Sequence, residues 1–189
     1  MSDFMLKVRS PLDGVELTYD DVAIREITGR DIVSIAIPLG GAETLSKAVI
    51  SAYQTELPAV GRCARSHVDN AHFLGMAPDQ YFIVFDRLES ESTDKITSKL
   101  GETGYFTDQS DSWVMMRIGG PKSRTALERI CPIDLHPTVF PEESVTRTLM
   151  EHLSTIILSE GNDHYLLLSA RSSAGSFLQV LQKSVENVL

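Results

Sequence analysis

Apolar residues recur along this chain in two alternating patterns. Short runs with a period near two are separated by segments with apolar residues three and four apart, which predicts strands alternating with helices. Val22, Ile24 and Ile27, then Ile32, Val33, Ile35 and Ile37, flank a Thr28-Gly29-Arg30-Asp31 break, and this predicts a hairpin of two strands over 22–37. Residues 38–41 turn. Leu45, Ala48, Val49 and Ala52 then line one face of a helix over 42–53. The segment 57–65 carries Pro58 and Gly61 and reads as a connector; 67–74 is weakly apolar and 75–79 reads as a turn. Residues 81–85, YFIVF, form the strongest buried strand of the first half. A charged helix over 89–100 turns Ile96 and Leu100 inward, and Tyr105-Phe106-Thr107 returns as a short strand. The order β-α-β-β-α-β is that of a ferredoxin-like unit.

The order then begins again. Residues 113–118 form a strand ended by Gly119-Gly120, and Pro121 suits the first turn of a helix over 122–130. Pro132 stops that helix, and Pro137 keeps the segment carrying Ile133 and Leu135 extended and irregular. A strand follows over 146–158, then a turn at Gly161-Asn162-Asp163, a strand over 165–168 and a last helix over 173–188. The expected fold class is therefore α+β, two ferredoxin-like β-α-β-β-α lobes in one body. The expected division is an N-terminal arm over 1–21, a first lobe over 22–110 and a second over 111–189. The arm holds Phe4, Met5, Leu6, Val8 and Leu12, apolar groups too few and irregular for a core of their own. They predict docking on a partner or packing on the chain's own sheet.

Composition narrows the function. A net charge of −9 argues against a nucleic-acid or anionic-membrane partner, each of which favours a basic face. No stretch approaches the length of a membrane span and no secretory leader is read, so a cytoplasmic location with Cys63 and Cys131 reduced is expected.

Candidate chemistry is sparse. His67, Asp69 and His72 are the closest histidine-bearing set, but spacings of two and three fit no single helical face, so no metal site is expected. Gly119-Gly120-Pro121-Lys122-Ser123 lacks the spacing of a phosphate loop, and no nucleophile elbow or dinucleotide fingerprint is present. Ser172 or Ser173 is expected to cap the last helix. Asp134 and His136 flank Leu135; either contacts a partner or holds its own loop.

Four stretches, in order, resemble the gamma subunit of heterotetrameric sarcosine oxidase. They are Arg9-Ser10-Pro11-Leu12; Leu74-Gly75-Met76-Ala77-Pro78-Asp79-Gln80-Tyr81; Cys131-Pro132-Ile133-Asp134-Leu135-His136-Pro137 with Phe140; and Arg171-Ser172-Ser173-Ala174-Gly175-Ser176-Phe177. The second departs from the family's LGPDEW by an inserted Met76-Ala77 and by Tyr81 for Trp, and Ser173 stands where a bulky aromatic is common. The resemblance implies the folate-binding fold of the aminomethyltransferases and their YgfZ-type relatives. It implies a complex that demethylates sarcosine oxidatively to glycine, forming hydrogen peroxide and passing the one-carbon unit to tetrahydrofolate. It further implies alpha, beta and delta subunits as partners. FAD, FMN, NAD, zinc and tetrahydrofolate would then reside on those subunits, with no catalytic, cofactor or metal residue in this chain. Arg9, Pro11, Leu12, Asp134 and His136 are the candidate partner contacts. The alternatives are a free folate-binding one-carbon transfer protein, against which the missing KGCYxGQE-like segment counts, and a transient assembly factor.

Overall fold

Two antiparallel sheets form where the apolar alternation is strongest. The structure is a computed structural model that describes residues 9–87 and 92–189. One sheet holds β3 (Arg30–Ala36), β4 (Cys63–Arg65), β5 (His72–Ala77), β6 (Gln80–Asp86) and β7 (Tyr105–Asp108), in the order β4-β5-β6-β3-β7. The other holds β1 (Glu16–Thr18), β2 (Ala23–Glu26), β8 (Trp113–Gly119), β9 (Val145–Met150), β10 (Leu153–Gly161) and β11 (His164–Ala170), in the order β1-β2-β8-β11-β10-β9.

Each sheet contains a ferredoxin-like unit. In the first, β5-β6-β3-β7 stand side by side with α1 (Ala42–Tyr53) and α2 (Ser92–Leu100) as crossovers. In the second, β10-β11-β8-β2 repeat that order with α3 (Ser123–Glu128) and α4 (Ala174–Glu186), and β2 takes the place of the fourth strand. The expected α+β class with two related units is thus present. The hairpin expected over 22–37 is not: β2 pairs with β8, and β3 pairs with β6 and β7. Gly29, at φ +75°, lets the linker cross from one sheet to the other. The linker is held on both sides, Ile27 N–H donating to Met115 C=O and Arg87 N–H to Gly29 C=O, each at 2.8 Å.

The sheets lie face to face with helices outside, giving four layers. Val33, Ile35, Phe73, Ile83 and Phe85 pack under Leu45 and Val49 of α1 and Ile96 of α2. Ile24, Met116, Ile118 and Leu167 pack under Leu127 of α3 and Phe177 and Leu181 of α4. Between the sheets lie Ile32, Leu74, Val84, Met115, Ile156 and Leu166. The alternation of a strand with both faces covered is therefore apolar throughout, which is why the YFIVF run carries no polar stripe. At one margin the sheets are stitched together: Cys63 N–H donates to Glu143 C=O at 2.7 Å and Val145 N–H to Gly61 C=O at 2.9 Å.

Several local expectations change. The strand expected over 146–158 is two strands, β9 and β10, paired from Val145↔Leu158 to Met150↔Leu153. Glu151 and His152, at φ +46° and +73°, make the two-residue turn between them. β4 lies within the expected connector 57–65, and β1 within the expected arm. β5 runs through Ala77, with a bulge between Gly75 and Ala77, so the Met76-Ala77 insertion lengthens a hairpin strand. The first residues of the helix expected over 89–100 lie outside the described residues, as do residues 1–8.

The Glu151-His152 turn is strained, since Asn-Gly is the pair that accepts two positive φ angles at little cost. Replacing it with Asn-Gly is expected to stabilise the chain by about 1–2 kcal/mol. Thermal melting checks this, and an unchanged midpoint would remove the strain from the account.

Candidate interaction site

The arm motif folds back on the body through three kinds of contact. Residues 10–14 turn, Val15 N–H donating to Leu12 C=O at 3.1 Å. The Glu26 carboxylate, 8% exposed, accepts from Gly14 N–H at 2.7 Å and from the Ser10 hydroxyl. That pairing satisfies a buried charge that would otherwise be costly. Leu12, Leu17 and Tyr19 pack against the cluster beneath α3 and α4. Of the two fates expected for the arm, packing on its own sheet therefore describes residues 9–19.

Arg9 points outward and forms a two-pronged pair with Asp13, Nε to Oδ1 at 2.8 Å and Nη2 to Oδ2 at 3.0 Å. The pair raises the Arg9 pKa and lowers that of Asp13, first through the hydrogen bond and then through charge. Both groups are fully exposed, so water screens the pair and it adds little stability. The Arg9 backbone carbonyl accepts from the Arg171 guanidinium, and Arg171 N–H donates to Ser112 C=O at 3.0 Å. The first and last motifs thus meet across the strand–helix junction. Pro11, Arg30, Arg87, Ser110, Trp113 and Arg171 are among the residues lining a cleft of about 240 Å³ there. The Arg87 guanidinium is fixed by Asp31, Nε to Oδ1 at 2.5 Å, and Asp31 also accepts from Ser92 Oγ at 2.8 Å.

The 131–140 segment is anchored by burial. Leu135 is fully buried, Cys131 nearly so, and Ile133 and Phe140 pack against the same cluster as Leu12 and Phe177. Burying a leucine contributes about 2 kcal/mol, enough to hold an irregular segment in place. Asp134 and His136 are exposed. Asp134 Oδ1 accepts from His136 N–H at 2.8 Å, and His136 Nδ1 lies 2.8 Å from Thr138 Oγ1. Both side chains hold their own loop, and Val139 is presented beside them at 61% exposure. The core joins this loop to the arm; among the described residues no hydrogen bond or ion pair does.

The capping expected of Ser172 or Ser173 is absent: a 3-10 turn over Arg171–Ser173 leads into α4, with no side-chain cap bond. The contribution of that motif is Arg171, whose reach back to the arm no local spacing reveals. Glu26 was also missed, because one acid on a short strand carries no signal of its burial.

The arrangement holds little reactive chemistry. Burial pushes the Cys63 thiol up to about 12 and raises that of Cys131, so neither is poised as a thiolate. His67 is exposed and His72 is buried between the sheets, so the two are not brought together as a ligand pair. Among the described residues no group of three or more His, Cys, Asp or Glu converges as a metal set, and no helix is long and apolar enough to cross a membrane.

No family model matches the chain. It is 24% identical over 157 residues to the sarcosine oxidase subunit gamma of Corynebacterium sp. (strain P-1), covering 82% of this chain and 75% of that one. It is 24% identical over 152 residues to the sarcosine oxidase subunit gamma of Arthrobacter sp., covering 80% and 73%. Among solved structures, a chain of the heterotetrameric sarcosine oxidase from Corynebacterium sp. U-96, in complex with pyrrole 2-carboxylate, matches with a TM-score of 0.80. The match is 22% identical and covers 95% of each chain. The glycine cleavage system aminomethyltransferase T from Bartonella henselae matches with a TM-score of 0.64 at 13% identity, over 85% of this chain and 45% of that one. The resemblance carried by the four motifs is borne out, and so is the expected fold.

Proposed function

We propose that this chain is a gamma subunit of heterotetrameric sarcosine oxidase, a component of the oxidising complex that supplies no catalytic residue. The observation that carries this reading is the end-to-end match to a chain of such an oxidase, 95% of each at a TM-score of 0.80. Two features support it. Three of the four motifs that resemble the family, the first, third and last, converge on one cluster beneath α3 and α4, and the first and last also meet at the Arg171 junction. The exposed side chains there hold loops and backbone, and neither thiol is activated. In this reading the alpha, beta and delta subunits hold the flavins, NAD, zinc and folate. Arg9, Pro11, Asp134 and His136 face those partners, while Leu12 fixes the arm from below.

Co-expression with the three other subunits tests this. The chain is expected to co-elute with them stoichiometrically, and the isolated chain to be colourless and unable to oxidise sarcosine. A stoichiometric flavin chromophore on the isolated chain, or its absence from the assembled oxidase, would contradict the proposal. Deleting residues 2–12 is expected to lower the stability of the isolated chain by about 2 kcal/mol, since the Ser10–Glu26 bond and Leu12 burial are lost. A melting curve identical to that of the full chain would show that the arm contributes nothing to the body.

The likeness to aminomethyltransferase T keeps a second reading in view, a folate-binding protein acting alone. Fold does not carry function by itself. Calorimetric titration of the isolated chain with tetrahydrofolate is expected to show no micromolar binding.

A further inference from the structure

Away from the stitched margin, the two sheets part and leave a cleft of about 360 Å³. Ser34, Ala36, Gln80 and Phe82 line it from one sheet and Trp113 and Arg147 from the other. Its composition sets it apart from the rest of the surface. Trp113 is the one tryptophan of the sequence. Its ring meets Phe82 edge to face, with centroids 5.8 Å apart. The Arg147 guanidinium lies over both rings, 5.4 Å from Trp113 and 6.0 Å from Phe82, and forms no ion pair among the described residues. The Trp113 indole N–H is buried and has no hydrogen-bond partner among the described residues. Tyr105 pairs with Ala36 across the β3–β7 ladder, so its side chain stands on the same face, 68% exposed.

Among the described residues no acidic group lines this cleft and Arg147 is its one charged lining group, on a chain of net charge −9. Several other cleft-lining arginines are matched by carboxylates, as with Arg117 and Glu160, Arg87 and Asp31, and Arg9 and Asp13, whereas Arg25 and Arg129, like Arg147, form no ion pair among the described residues. Tryptophan, tyrosine and arginine around a pocket are the residue types that dominate binding energy at protein interfaces. Trp113 also lines the arm cleft that holds Pro11 and Arg171, so the two clefts share it as a wall.

We propose that the mouth between the sheets, centred on Trp113, Arg147 and Tyr105, is a docking surface for a partner subunit and receives a segment that sets a carboxylate against Arg147. The inference rests on the chain being a subunit of the oxidase. The carboxylate would complete the guanidinium already oriented by the two rings, while an adjoining apolar side chain enters the cleft beside Phe82. Charge-assisted pairs of this kind are strongest when the surrounding contact excludes water.

The test is co-purification of the tagged chain with the alpha, beta and delta subunits. Arg147→Glu and Tyr105→Ala change exposed residues, and Lys183→Glu reverses a charge on the outer face of α4 as the control. Both groove variants are expected to lower recovery of the partners at least tenfold, with Lys183→Glu at the wild-type level. Thermal melting of each isolated variant confirms that the fold is kept. Wild-type recovery with both groove variants would overturn the docking surface and leave the subunit reading standing. Failure of the unmodified chain to co-purify would overturn both. A small-molecule role is separated by titrating the isolated chain with benzoate and following Trp113 fluorescence. Saturable quenching that Arg147→Glu abolishes, with co-purification unaffected, would assign the cleft to a soluble carboxylate and overturn docking.

Discussion

Replacing Gly120 with valine is expected to lower the melting temperature by roughly 10 °C, the equivalent of about 4 kcal/mol in a chain of this size. Two costs add. Gly120 sits at φ +119°, a region that residues with a side chain rarely enter, and forcing one there costs about 1–3 kcal/mol. A Cβ at this position would also lie 2.4 Å from the Asp21 carbonyl oxygen and 3.0 Å from its carbon. These are backbone atoms and cannot swing aside, so overpacking adds about 1–3 kcal/mol. The close approach has a purpose. Lys122 N–H donates to Asp21 C=O at 3.3 Å and Gly120 N–H to Asp163 C=O at 3.2 Å, which ties the strand–helix turn to the entry of β2 and to the β10–β11 turn. Gly175→Ala is the control. Its Cβ would meet nothing within 4 Å, and the change is expected to be neutral or stabilising. Thermal melting of the two variants decides; equal midpoints for Gly120→Val and wild type would mean that the turn yields.

Acid is expected to weaken the fold between pH 6.5 and about 4, through His72. This histidine lies between the sheets at 8% exposure, and its Nδ1 has no partner among the described residues. Its pKa falls from 6.5 to about 4, first because burial disfavours the charged ring, then because Arg30, Arg65 and Arg117 repel it; Glu160 acts in the opposite sense. In the unfolded chain the ring takes a proton near 6.5, whereas the folded chain resists until about 4. The unfolded state therefore binds more protons in that window, and stability is lost as the pH is lowered through it. The contribution is complete above the upper value, and by the lower one about 3 kcal/mol has been lost. His72→Gln removes the titrating group and is expected to flatten the decline. Parallel melting curves for the variant and the wild type from pH 7 to 4.5 would place the acid sensitivity elsewhere.

Local signals located most of the elements. The helix expected over 42–53 is α1 from end to end, because a turn of Pro and Gly precedes it and an uninterrupted apolar stripe runs along it. Gly161-Asn162-Asp163 was legible as a turn because Asn and Asp tolerate the left-handed angles they adopt, φ +50° and +56°. Glu151-His152 adopts similar angles without such residues, so the strand through it read as continuous. The surface was less legible than the fold. Arg9 and Arg171 stood in separate motifs, and their meeting spans a sequence separation of 162 positions.

By itself, the sequence determined the class of the fold, the repeated unit and a family resemblance, since these rest on periodicity, turn chemistry and ordered motifs within one stretch of chain at a time. Which sheet each strand joins was decided by tertiary structure. Val22 and Ile24 show the same alternation whether they pair with β3 or β8. Only burial beneath α3 and α4, and the crossing that Gly29 permits, place β2 in the second sheet. The cleft lined by Trp113 and Arg147, with Tyr105 on the same sheet face beside it, was likewise beyond local reading. Its walls come from β3, β6, β8 and β9, and the faces of separate strands converge only once two sheets have packed against each other.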